Sequence, residues 1–354
     1  MELLTAFDVD TLVLPFIPLW QRLVVAVTSS DYERPTFQAF MVNPVAFVAS
    51  VQDGRVRRII LVPPSAEGRP PEGPGVNGDQ SDSFPNGLPD GIRPVIEPNR
   101  IVDAPDSHLI EETSSPAIGQ GPLIQWLAPG GRLEVGGLLE FVPYNSPALY
   151  TRATPHFRLT VSRVANALLT STVPATTARI LARLKSIYVR RFGSKPKQKN
   201  EISLFVYAGP LHRLFTRARL SRPKSALTTP PMMCDDDECP LCTEWAPTGN
   251  YRNAILYTGD GYLDKKQDCE ALLGYLGSAR MQALSVLQVM HHGSRKNWHA
   301  GLAAQLAPQH SVFCADRSYG HKHPHKEVEK DFEPFGAVVV QRMEGFNLYQ
   351  RLKV

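Results

Sequence analysis

Nowhere in the 354 residues does an apolar run approach the roughly twenty residues that a membrane-spanning helix needs. The opening stretch, "MELLTAFDVDTLVLPFIPLW", carries acidic residues early and prolines inside its apolar run. It lacks the basic-then-apolar order of a signal peptide. These two absences point to a cytoplasmic protein without a membrane partner. Cysteine is sparse: five residues, an odd number in a long chain, which excludes a disulfide framework as the organising principle. Neither charge sign dominates, with 38 Lys and Arg against 34 Asp and Glu and a net charge of +4. That balance suits a soluble enzyme with an anionic substrate and does not by itself argue for nucleic acid. What the chain does have is a 43% hydrophobic content, enough for a real core in one large domain or two smaller ones.

Along the chain, Val9 to Leu14 reads as a strand leaving its sheet at Pro15. "LWQRLVVAVTSS" reads as helical, and "PVAFVASV" and "VRRIILVPP" as further strands or short elements. From 63 to 120 Gly, Pro, Ser, Asp and Asn dominate, which predicts a disordered surface insertion that cannot offset its ordering entropy. "GRLEVGGLLEFVPYNSP" reads as a strand pair. "ATTARILARLKSIYVRRF" has apolar residues at helical spacing and a basic face, read as a solvated cationic surface with a nucleic-acid contact as the alternative. In the last hundred residues apolar strands alternate with helices, which argues for a layered α/β sheet buried on both faces.

Three polar clusters follow strands in that last region: Thr258-Gly259-Asp260, His291-His292-Gly293-Ser294, and the run from Tyr319 through His321, Lys322, His323 and Pro324 to His325. Ligands of layered α/β proteins bind outside the carboxyl ends of strands, and Asp with neutral imidazole suits zinc, manganese or iron. Each cluster alone is a weak signal; the three in this order are less easily a coincidence.

On these residues the chain resembles the metallo-β-lactamase-fold hydrolases, and among them the ComEC-type competence hydrolase domain and its stand-alone relatives. The likeness rests on "LYTGDG", "LQVMHHGSRKNW" and "SYGHKHPHKEVEKDF", and is strongest from about Asn200 to Leu352. It implies an αββα sandwich that here lacks its first αβ unit. Residues 1–62 would form the N-terminal portion of that fold, and 121–354 the C-terminal portion with a cysteine-rich insertion at about 221–249. It further implies that Asp260 bridges two metal ions, zinc or manganese, and that His291 ligates the second. His292 and His323 would join them in catalysis, with Ser294, His321 and His325 touching substrate. A metal-activated water would then hydrolyse a phosphodiester, nucleic acid or nucleotide.

The family's first motif, HxHxDH, has no counterpart among the ten histidines. Three explanations stand: the sequence begins at an internal methionine, a partner chain supplies the missing half, or the protein has lost its metals and acts as a scaffold. The first is favoured because a strand and helix that follow the motif in the family are already present by Trp20. If the chain is whole, an exposed apolar sheet face predicts poor solubility or an obligate partner.

"PMMCDDDECPLCTEW" places Cys234, Cys239 and Cys242 in a C-x4-C-x2-C pattern resembling a zinc knuckle. The expectation is a structural zinc, with His212 or Cys269 as a fourth donor, set against a reduced, unliganded loop. Cys314, within "SVFCAD", is expected to be a small buried hydrophobe.

Overall fold

Four apolar segments of four or five residues each, separated by helices, lie as consecutive neighbours of one sheet. The computed structural model describes residues 7–18, 20–22, 34–51, 56–65, 96–102, 122–135, 139–147, 153–169, 174–192, 203–211, 216–221, 252–318, 320, 322–341 and 346–352. In chain order the first elements are β1 (Val9–Pro15), α1 (Pro35–Val42), α2 (Pro44–Val51), β2 (Val56–Val62), β3 (Ile96–Pro98), β4 (Ile101–Val102), β5 (Leu123–Leu127), β6 (Leu133–Val135) and β7 (Leu139–Asn145). Then come α3 (Pro155–Leu169), α4 (Pro174–Phe192), β8 (Leu204–Pro210), β9 (Thr216–Ser221), β10 (Ala254–Tyr257), α5 (Lys266–Leu276), α6 (Ser278–Gln282) and β11 (Leu284–Gln288). The last are α7 (Leu302–Leu306), β12 (His310–Cys314), α8 (Lys326–Phe332), β13 (Ala337–Val340) and β14 (Asn347–Leu352). The protein is thus mixed α/β. Among the described residues no helix is long and apolar enough to cross a membrane.

The chain divides into two units, one formed by 1–68, 98–131 and 145–204, the other by 69–97, 132–144 and 205–354. The first contains a four-stranded sheet of order β1-β2-β5-β4, parallel except for the β4–β5 pair. "IILV" in β2 is buried on both faces, as an unbroken apolar run requires. Val45 and Val48 of α2 belong to the core cluster that also holds Ile59, Leu61 and Trp126. "PVAFVASV" is therefore a helix and not a strand. Asn43 accepts a hydrogen bond from the Ala46 N–H at 3.0 Å, with Pro44 as first helical residue, and this cap outweighs the valines' strand preference. A second cluster joins α3 and α4 through Phe157, Val161, Val164, Leu184 and Tyr188, with Trp20 set edge-on to Phe157 at 5.9 Å. The Tyr188 hydroxyl donates to the Trp20 carbonyl, and burial raises its pKa well above the ordinary value. Of the 63–120 stretch, 63–65 and 96–102 are described, and in the latter Ile96, Ile101 and Val102 restore β-forming character; the bulk lies outside the described residues.

The second unit holds the eight-stranded sheet β13-β12-β11-β10-β8-β7-β6-β3. β10 to β13 are parallel, β8 runs antiparallel to β10, and β6 and β7 form the antiparallel pair expected from "GRLEVGGLLEFVPYN". Leu256, Leu284, Leu287 and Phe313 are essentially inaccessible and share a core with Cys269, Leu272, Leu302, Val328 and Phe332 from the crossover helices. Among the described residues of this unit, Glu140 and Arg280 form a buried charged pair. Glu140 on β7 accepts two bonds from Arg280 of α6, Nε to Oε1 at 2.7 Å and Nη2 to Oε2 at 3.0 Å. Arg280 also donates to the Leu276 carbonyl, and the Arg132 Nε lies 3.5 Å from Glu140. Such a bidentate, fully hydrogen-bonded pair is the arrangement in which a desolvated ion pair persists.

Candidate active site

The strands β10, β11 and β12 run parallel, so their carboxyl ends share one rim, and each of the three polar clusters leaves the sheet there. After β10 the chain turns at Gly259, whose φ of 51° lies in the left-handed region. The buried Thr258 hydroxyl donates to the Gln288 carbonyl at 2.6 Å, which ties this turn to the end of β11. After β11, His291, His292 and Gly293 take φ of 45°, 58° and 83° in succession. Consecutive left-handed residues are costly for side chains other than glycine, and such backbone strain concentrates at functional sites. The turn is held by the His291 N–H donating to the Gly259 carbonyl at 2.9 Å and by the Ser294 N–H donating to the His291 carbonyl.

Asn297 fixes both turns. It is buried, and its Nδ2 donates to the carbonyls of Asp260 at 3.1 Å and Gly261 at 2.9 Å. Its own carbonyl accepts from the Leu263 N–H, and its N–H donates to the Ser294 carbonyl. Further on, Asp331 of α8 accepts from the Trp298 indole at 2.8 Å and from the N–H groups of Gly301 and Ala303. The loop carrying the histidine pair is therefore anchored at both ends. His299 has a structural role: its Nδ1 donates to the Leu263 carbonyl and its Nε2 accepts from the Gln305 amide.

Four of the expected residues come together on this rim. His291 and His323 have ring centroids 5.8 Å apart, His291 and His292 5.9 Å, and His292 and His323 6.4 Å. Asp260 Oδ1 lies 3.9 Å from His292 Nε2. His325 joins through His323, the two Nδ1 atoms being 3.2 Å apart. Ser294 is buried, its hydroxyl accepting from the Lys296 N–H at 3.3 Å. His321, His212, Cys234, Cys239 and Cys242 lie outside the described residues.

The hydrogen bonds fix the tautomers. His292 Nδ1 is 2.5 Å from the Cys314 carbonyl, which can only accept, so Nδ1 carries the proton. Nε2 then faces the Asp260 carboxylate across 3.9 Å. In the second pair the Arg295 N–H donates to His325 Nδ1 at 3.4 Å, which makes that nitrogen an acceptor. His323 Nδ1 is therefore the donor of its pair.

Unprotonated imidazole and carboxylate are the donor types that zinc and manganese take. Yet among the described residues no group of three or more His, Cys, Asp or Glu converges as an ion's ligand set. Asp260 and His292 offer two donors facing one another. The described side chains do not by themselves make up a closed metal site. Cys269, considered as a zinc donor, is fully buried in the core of its unit, where burial and then Glu270 push its thiol up to about 11. Cys314 corrects the sequence expectation: it is exposed. It is the last residue of β12, where the strand emerges at the rim, and only its carbonyl joins the cluster. Asn297 and that carbonyl carry no sequence signal, since an asparagine in a polar loop and a main-chain oxygen look like any other.

Comparison of the chain with protein-family models, with curated proteins and with solved structures gave no match.

Proposed function

We propose that the chain is a hydrolase of the metallo-β-lactamase type, built as that family's αββα sandwich, and that it cleaves phosphodiester bonds at the Asp260, His291, His292 and His323 cluster. One observation carries this reading: three successive strand exits bring a carboxylate and the imidazoles of His291, His292 and His323 onto one rim. His292 Nε2 accepts a proton from the attacking water. The Cys314 carbonyl holds its ring through Nδ1–H, and Asp260 stabilises the imidazolium that results. His323, held by His325, acts in its protonated form as the acid that gives a proton to the leaving oxygen. In this reading Asp260 and His291 are donors to zinc or manganese and need further donors besides themselves.

A second reading has an observation in its favour. No three donors converge among the described residues, and the sequence contains no HxHxDH motif. That favours a pseudo-hydrolase or one subunit of a split enzyme, acting through protein contacts. Metal content by plasma mass spectrometry, with turnover of a chromogenic phosphodiester, separates the two. For the hydrolase, wild type holds about two ions per chain, and the Asp260→Ala/His291→Ala variant loses them along with at least a hundredfold of activity. Metal content unchanged in that variant, with no turnover by wild type, would establish the second reading. Cys234→Ser, made alongside, removes an ion only if the cysteine cluster is a structural zinc knuckle.

A further inference from the structure

We propose that the basic face of α4 in the first unit docks the phosphate backbone of a nucleic acid without reading its bases. The first observation is charge segregation. Residues 141–200 contain eleven lysines and arginines and no aspartate or glutamate. The rest of the chain is left with 27 basic against 34 acidic residues, a net −7. A solvated helix face normally mixes the two signs; here one stretch holds the whole positive excess while the remainder is acidic.

The second observation is where those charges stand. Arg179, Arg183 and Arg190 are exposed, and at 100° per residue they fall within one narrow stripe of α4. Along the axis they are spaced by about 6 and 10 Å. The Arg190 guanidinium reaches Ser186 on the same stripe at 3.4 Å and keeps further donors for a ligand. The opposite face, Leu184 and Tyr188, is consumed in the unit's own core against Phe157 and Val161. That separates this helix from a membrane-surface one, whose apolar face must be available for the bilayer. Arg179 and Arg183 are like charges at i and i+4, which disfavours a helix, while Arg190 in the last turn complements the dipole. No aromatic side chain is exposed on it, so the contact it offers is with phosphates and not with bases.

This inference does not rest on the hydrolase reading. The test is fluorescence anisotropy of the full chain with a labelled mixed-sequence 20-mer oligonucleotide, titrated at several salt concentrations. Wild type should bind with a steep salt dependence and bind an unrelated 20-mer equally well. Arg179→Gln/Arg183→Gln/Arg190→Gln should weaken binding at least tenfold and lower the slope of log K against log salt by about two to three. Lysine at the same three positions should retain binding, since point charges suffice for phosphates. Circular dichroism confirms that each variant folds, and glutamine preserves helix propensity. Binding is read without turnover, so a failed hydrolase assay leaves this result standing. Undiminished binding by the glutamine variant would overturn the proposal. So would a variant whose defect appears only with phosphatidylserine vesicles, which would make the partner a membrane.

Discussion

The His292 ring is held at Nδ1 by the Cys314 carbonyl, with Asp260 3.9 Å from its Nε2, and the glycine after it makes that placement attainable. A Cβ on Gly293 would stand 2.6 Å from both Phe313 Cδ1 and Pro324 Cβ, on a backbone with φ of 83°. Gly293→Ala should therefore cost about 2–3 kcal/mol, from overpacking and left-handed strain together. Gly259→Ala meets nothing within 4 Å and should cost about 1 kcal/mol, from strain alone. Denaturant midpoints of the two variants check the ordering. Thiol chemistry tests burial in the same way. Cys314 should alkylate rapidly in the native protein and Cys269 only after unfolding, as read by peptide mass spectrometry. At this scale the residue types of the cluster were legible, because histidine and aspartate at strand ends are chemically conspicuous. Their tautomers were not, because those depend on a carbonyl 22 residues away and on the backbone N–H of Arg295.

Among the elements, β10 to β13 were legible because each is a short stretch dominated by apolar and β-branched residues between helical patterns. α2 was not, since valine-rich "PVAFVASV" fits a strand until Asn43 and Pro44 are weighed as cap and first turn. α3 has Phe157, Val161 and Val164 at helical spacing, with Arg158 and Arg163 off that stripe. The Glu140–Arg280 pair joins β7 to α6 across 140 residues, which no local pattern reports. Glu140→Ala should destabilise by about 3–5 kcal/mol, because it strands a guanidinium in the core. The double replacement Glu140→Leu/Arg280→Met should cost much less than the sum of the single changes. A double-mutant cycle in urea measures that difference.

At the scale of the molecule, several groups that could ionise at high pH are neutral and buried. Burial raises Cys269 to about 11, and Tyr207 is raised by burial first and then by Glu140, partly offset by Arg280. A group raised in the fold contributes stability below its ordinary pKa, and that contribution is lost as pH climbs through the raised value. For Cys269 the window runs from about 9 to about 11. Urea stability should be level up to pH 9 and fall towards pH 11, with a shallower fall in Cys269→Ala. The division of the chain was the least legible feature. Residues 1–68 and 145–204 share one unit while 132–144 belongs to the other, and such pairing follows from long-range contacts and not from periodicity.

The three left-handed residues at 291–293 also act as a filter on how this sequence can drift. Valine, isoleucine and threonine are all but barred from positions 291 and 292, whatever the protein does there, while asparagine and aspartate are admitted by the backbone. A library of all substitutions at these two positions, scored separately for abundance and for turnover, would distinguish intolerance of the turn from intolerance of the chemistry. Residues rejected for abundance report the turn; asparagine, folded and silent, would report the chemistry.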